Sequence, residues 1–208
     1  AAARNDRKLS VAENYRRDPS ARLVHHLLEK GAIGSPYMAT FHALSPGDEI
    51  FITPWRHLKD RGGLLLDLGV HFTDLIRYQL GEVAEVYGDA RLVEPVRRKP
   101  ASMSSPYRYY QDRFKKLAEE VPATAEDMSV AMLRMESGVV VSWIVGSSGH
   151  GSCGGNRILG DRGVIEGFGT RGGTTAVKEA GREEVGFGEL VAASDDFELE
   201  PLAAHLFP

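Results

Sequence analysis

The spacing of apolar residues changes several times along the chain, and each change marks an element. Residues 8–15 (KLSVAENY) partly alternate after a short helical start, which predicts a strand. Asp18-Pro19-Ser20 carries a helix-start signal, because Asp18 can cap and Pro19 suits the first helical position. Leu23, Val24, Leu27 and Leu28 then make one apolar face, ended by Gly31. A turn at Gly34-Ser35-Pro36 leads to a strand at 37–44, and 48–58 reads as loop or broken helix. Gly62-Gly63 precedes a helix from about 64 to 80, stopped by Gly81. Residues 83–93 read as a strand, and the polar stretch 94–124 holds a helix near 107–119. Residues 126–134 and 139–145, joined by Glu136-Ser137-Gly138, predict a hairpin. Residues 156–159 and 164–168 repeat that pattern around Gly160-Asp161-Arg162-Gly163. Short connections between the later strands imply antiparallel pairing. The predicted class is α+β: a largely antiparallel open sheet with helices packed on one face, in one domain spanning 1–208.

Composition narrows the partners. The 208 residues are 42% apolar and 26% charged, an ordinary globular balance. No apolar run reaches the ~18 residues of a membrane span. The net charge of −4 argues against a general nucleic-acid role. The single cysteine, Cys153, cannot form an internal disulfide, which fits a reducing compartment such as the cytoplasm. Residues 97–116 interleave basic side chains with Tyr107, Tyr109 and Tyr110, but Asp112, Glu119 and Glu120 lie in or beside that stretch. An insertion over the cleft or at a subunit contact fits it better than a nucleic-acid surface. Residues 179–200, with eight acids and one base, read as solvated surface. The chain opens Ala1-Ala2-Ala3-Arg4 without an initiating Met and stops on the apolar stretch 202–208. Both ends are those expected of a piece of a longer chain.

The strongest candidate chemistry is GGLLLDLGVHFTD, residues 62–74. Asp67, His71 and Asp74 stand at i, i+4 and i+7, so a helix puts them on one stripe among apolar and small residues. A polar stripe on a buried helix needs partners. It fits a cleft where an imidazole oriented by a carboxylate moves protons. It fits a satisfied buried network equally well. Gly69 allows close approach of another backbone or a ligand. A second candidate is Gly167-Phe168-Gly169-Thr170-Arg171-Gly172, which satisfies G-x-G-x-x-G. Residues 173–179 are a poor helix start, so it does not read as a dinucleotide turn. His150 and Cys153 could join Asp67 and His71 as metal ligands, but the spacing fits no standard zinc pattern and no metal is expected.

The segment GGLLLDLGVHFTDLIRYQLG resembles the substrate-domain signature of the Gfo/Idh/MocA oxidoreductases, Gly-Gly followed by Asp-x-Gly-x-His-x-x-Asp. Asn14-Tyr15-Arg16-Arg17, Lys30 to Gly34, Trp55-Arg56, Glu126-Asp127 through Ser137-Gly138, and Gly160 to Gly163 resemble other segments of that family in order. The likeness covers roughly 1–170. It implies the C-terminal domain of a two-domain dehydrogenase whose Rossmann domain, holding NAD or NADP, is absent from this chain. The family's Glu-Lys-Pro motif is absent as well, so this portion alone is expected to be inactive. The resemblance implies that His71 is the acid/base or substrate-hydroxyl histidine, with Asp67 binding hydroxyls and tuning the imidazole. It implies that Tyr15, Arg16, Trp55, Arg56 and Asp74 line the substrate side. A sugar, cyclitol or related polyol would be the substrate, and a homo-oligomer would form through the sheet face. A non-catalytic binding or assembly module of the same fold, or an NAD-dependent glycoside hydrolase of that fold, are the alternatives.

Overall fold

The computed structural model describes residues 3–11, 13–103, 105–169 and 175–199. Asp18 sets the first helix: its carboxylate accepts from the Ser20 amide at 2.9 Å, Pro19 takes the first position, and α1 runs Pro19–Glu29. The helix ends at Gly31 (φ +66°), with the Ala32 amide donating to the Leu27 carbonyl at 2.9 Å. Strand β1 (Pro36–Ser45) follows. Two single-turn 3₁₀ helices, Pro54–His57 and Lys59–Arg61, then lead into α2 (Gly63–Leu80). After β2 (Val83–Arg91), a small excursion carries β3 (Val96–Arg98), α3 (Arg108–Lys115) and β4 (Glu120–Pro122). The strands β5 (Met128–Met135), β6 (Val140–Ser147), β7 (Cys153–Gly160), β8 (Gly163–Glu166), β9 (Ala176–Glu179) and β10 (Val185–Gly186) come next, then α4 (Phe187–Ala192).

The main sheet has the order β10-β9-β8-β7-β1-β6-β5-β2. Its pairings are antiparallel except β1 with β6, which is parallel. One row of residues crosses six strands in register: Val177, Ile165, Ile158, Ala39, Val141 and Leu133. All six are buried, and they form the floor of the core. Helix residues Leu23, Val24 and Leu27 of α1 and Leu75 and Ile76 of α2 join that cluster. The other sheet face carries Tyr87, Val130 and Met132 exposed. The α+β class with helices over one face is thus the observed one. No helix among the described residues is long and apolar enough to cross a membrane.

Several elements differ from the sequence reading. The strand expected at 8–15 is absent: Leu9 and Val11 are 84% and 86% exposed, residue 12 lies outside the described residues, and Tyr15–Arg17 forms a 3₁₀ turn. Its partial alternation has no strand to pair with, so the pattern has nothing to bury against. The acidic stretch contributes β10 and α4, which sets Leu190 into the core. The β3–β4 ladder pairs three-residue strands with 21 residues between them, too short to leave a periodic signal in the sequence.

One buried ion pair ties this excursion to the sheet. Arg97 and Asp127 are 0% and 1% exposed, with Arg97 Nη2 donating to Asp127 Oδ2 at 2.6 Å and Nη1 to the Ser147 carbonyl at 3.0 Å. The Asp127 carboxylate also accepts from the Val93 and Glu94 amides at 2.8 and 2.9 Å. Removing one partner leaves an uncompensated buried charge. Asp127→Ala should therefore destabilise the protein by about 3–5 kcal/mol in urea unfolding; a loss below about 1 kcal/mol, as for an exposed pair, would contradict this role.

Candidate functional site

The double glycine starts α2 for a steric reason. Gly62 and Gly63 take φ of +103° and +73°, and a Cβ on Gly63 would stand 2.5 Å from the Ala125 Cβ. Farther along, a Cβ on Gly69 would lie 3.3 Å from the Trp143 ring of β6. The helix thus lies close on the sheet, and its polar stripe faces the chain segments that flank it.

Each of the three stripe residues is matched from outside the helix. Arg56 Nε donates to Asp67 Oδ2 at 2.8 Å, and its Nη1 donates to the Thr53 hydroxyl at 2.6 Å. His71 Nδ1 lies 2.7 Å from Glu13 Oε1. Arg16 Nε donates to Asp74 Oδ2 at 2.6 Å, and Arg16 Nη2 bonds the other carboxylate oxygen. The bidentate Asp74 carboxylate pushes the Arg16 guanidinium further up from its already high range, mainly through that hydrogen bond. Tyr15 lies flat on the His71 ring, with centroids 4.4 Å apart and planes 6° from parallel, and meets Phe72 edge-on. The Arg56 guanidinium sits 4.5 Å over the Trp55 ring, and Trp55 is 41% exposed.

All seven residues anticipated from sequence therefore gather on or against the N-terminal and middle turns of α2. Asp67, His71 and Asp74 come from the helix, Tyr15 and Arg16 from the 3₁₀ turn before α1, Trp55 and Arg56 from the one before α2. The half-buried His71 keeps its second nitrogen open: among the described residues no protein group bonds Nε2. Glu13 and Thr53 were missed. Glu13 is 58 positions from His71, and only its place beside Asn14-Tyr15-Arg16 could have drawn notice.

Other candidates lie elsewhere or form no site. Cys153 contacts His42 Nδ1 at 3.7 Å, and His42 Nε2 is 2.9 Å from Ser142 Oγ, all on the sheet face away from α2. No group of three or more potential ligating His, Cys, Asp or Glu side chains occurs among the described residues. Residues 170–172 of the glycine run lie outside the described residues; the next described element is the strand β9, not a helix.

The family model of the GFO/IDH/MocA C-terminal domain matches residues 21–166. A Bacillus subtilis (strain 168) protein described as uncharacterized oxidoreductase YrbE is 34% identical over 89 residues, 42% of this chain and 25% of its own. A D-apiose dehydrogenase of Rhizobium rhizogenes is 34% identical over 90 residues, 43% of this chain and 26% of its own. A levoglucosan dehydrogenase solved in complex with NADH and L-sorbose matches with a TM-score of 0.64 at 26% identity, covering 83% of this chain and 44% of that one. The matched stretches thus span about a quarter of these curated relatives and less than half of the solved chain.

Beside the stripe, His57 anchors the turn that carries Arg56. It is 1% exposed, its Nε2 accepts from the Phe51 amide at 2.9 Å, and its carbonyl accepts from the Thr124 and Ala125 amides. Burial, then the charges of Arg97 and Arg56, lower its pKa from the usual 6.5 to about 4. The folded state holds His57 neutral while the unfolded chain binds a proton below 6.5. This stability is complete above pH 6.5 and is lost as pH falls toward 4, by roughly 3 kcal/mol. An NMR titration should find His57 neutral at pH 5; a midpoint near 6.5 would contradict the burial argument.

Proposed function

The chain belongs to the GFO/IDH/MocA family, and we propose that it supplies the substrate wall and proton acceptor of an NAD(P)-dependent oxidoreductase acting on a carbinol of a sugar, cyclitol or related polyol. The observation that carries this reading is the half-buried His71, gripped at Nδ1 with Nε2 open, next to the paired Asp67. The dehydrogenases it resembles act on compounds of that class by name, and one was solved with NADH.

The described residues fit one side of such a reaction. Their main sheet is antiparallel in every pairing but β1 with β6, unlike the mostly parallel sheet of a dinucleotide-binding fold. We place NAD or NADP mainly on a portion outside this chain, and this chain alone is then inactive. The bound nicotinamide supplies the hydride acceptor at its C4.

In the oxidising direction the carbinol C–H bond breaks with its electron pair, the carbonyl forms, and the hydroxyl proton needs a base within reach. His71 Nε2 is that base. Asp67, oriented by Arg56, accepts hydrogen bonds from neighbouring hydroxyls and fixes which carbon reacts. Trp55 has one ring face under Arg56 and offers the other to a sugar ring. Arg16 and Asp74 neutralise each other and hold Tyr15 in place at the rim of the site.

A second copy covers the open sheet face, where Tyr87, Met132, Val130 and Ile144 lie in facing positions on β2, β5 and β6. The single cysteine fits a cytoplasmic setting.

In the complete enzyme, His71→Ala should lower turnover at least ~100-fold while leaving nicotinamide binding nearly unchanged; full turnover would overturn the assignment. Met132→Glu should convert the assembly to smaller species in light scattering. A wild-type protein that is monomeric at all concentrations would rule out the sheet-face assembly.

A further inference from the structure

The reading of His71 as proton acceptor leaves open what decides which of its nitrogens reacts, and the inference that follows rests on that reading. We infer that Glu13 is the positioning residue that fixes the His71 tautomer, so that Nδ1 carries the hydrogen and Nε2 presents its lone pair to the substrate hydroxyl.

Three contacts lead there. Glu13 Oε1 stands 2.7 Å from His71 Nδ1, with the Glu13 side chain 13% exposed. An ionised carboxylate only accepts, so a hydrogen bond of this length requires the hydrogen on Nδ1. The opposite tautomer would set two acceptors against each other. Second, Glu13 is itself held, because the same oxygen accepts from the Tyr15 amide at 3.2 Å. Third, the Tyr15 ring lies on the imidazole at 4.4 Å and 6°, and its edge contact with Phe72 is 5.8 Å between centroids, so the plane of the imidazole is fixed as well as its hydrogen.

Asp67 does not fill this role, although it stands one helical turn before His71. Its Oδ2 is engaged by Arg56 Nε at 2.8 Å, and no hydrogen bond or ion pair joins its carboxylate to the ring. The work is therefore divided: Asp67 and Arg56 serve the substrate, while Glu13 and Tyr15 serve the base. Arg16, next in sequence, is bound to Asp74, so residues 13–16 are registered against successive turns of one helix stripe. When Nε2 accepts a proton, the resulting imidazolium already has a carboxylate at its other nitrogen, and no solvent needs to reorganise.

The test reads the tautomer directly. With ¹⁵N-labelled histidine and His71→Gln for assignment, the neutral wild-type His71 should show a protonated Nδ1 and an unprotonated Nε2. Glu13→Ala should return His71 to a mixed population. Glu13→Gln, whose amide oxygen still accepts, should retain the Nδ1–H form. In the complete enzyme Glu13→Ala should lower kcat about tenfold or more with KM changed less than about threefold, and Glu13→Gln should restore most of it. A wild-type His71 protonated at Nε2, or a Glu13→Ala protein with unaltered tautomer and kcat, overturns the inference. Should Glu13→Ala not fold, the wild-type spectrum still decides the tautomer. The failure modes separate: His71→Ala with full turnover removes the proton-acceptor reading, whereas loss of turnover there with no effect of Glu13→Ala removes only the positioning role.

Discussion

The structure turns on the need of α2 to satisfy three polar groups. This helix is largely apolar and lies on the sheet closely enough that Gly69 meets the Trp143 ring. A buried polar group left unpaired would cost about 1–3 kcal/mol. Each is answered by a residue from another part of the chain: Arg56 for Asp67, Glu13 for His71, Arg16 for Asp74. Those three pairs draw the segment before α1 and the turn before α2 onto one stripe. The same bonds that make the helix tolerable to bury thus assemble the candidate site. Both carboxylate oxygens of Asp74 are taken by Arg16, whereas among the described residues no protein group bonds His71 Nε2.

The sheet supplies the rigidity behind this. The in-register row from Val177 to Leu133 gives α1 and α2 an apolar floor, with the small Ala39 at its middle strand where both neighbours are well covered. A second support runs from the Arg97–Asp127 pair through the start of β5. Ala125, two residues before Asp127, is hydrogen-bonded to the His57 carbonyl and packed where any side chain on Gly63 would stand. The turn carrying Trp55 and Arg56 is thereby held at the same place as the first turn of α2. Sites held on such elements keep their geometry better than sites on free loops.

Local signals are legible in the sequence and long-range ones are not. Asp18-Pro19 and Gly62-Gly63 each mark a helix start by chemistry that acts within a few residues, and both helices begin there. The β5–β6 hairpin follows from alternation on either side of a glycine turn. The parallel pairing of β1 with β6 joins residues about 100 positions apart, which no periodicity encodes. Residues 8–11 show the converse: alternation is only an offer of pairing, and no strand takes it up. At the site, the helix spacing of Asp67, His71 and Asp74 was visible, as was the resemblance that pointed to Tyr15, Arg16, Trp55 and Arg56. Glu13 was not, because a lone carboxylate acquires its meaning only from the imidazole it meets.

We propose that His71 Nε2 receives the proton of the reacting hydroxyl while Glu13 holds Nδ1. The most direct test is the structure of the complete enzyme with nicotinamide and a polyol that it turns over. The carbinol oxygen should lie about 2.6–3.2 Å from His71 Nε2, with a neighbouring hydroxyl on Asp67 and the Glu13 contact intact. A turned-over substrate whose carbinol oxygen is bound by another base, with His71 Nε2 facing away, would contradict it.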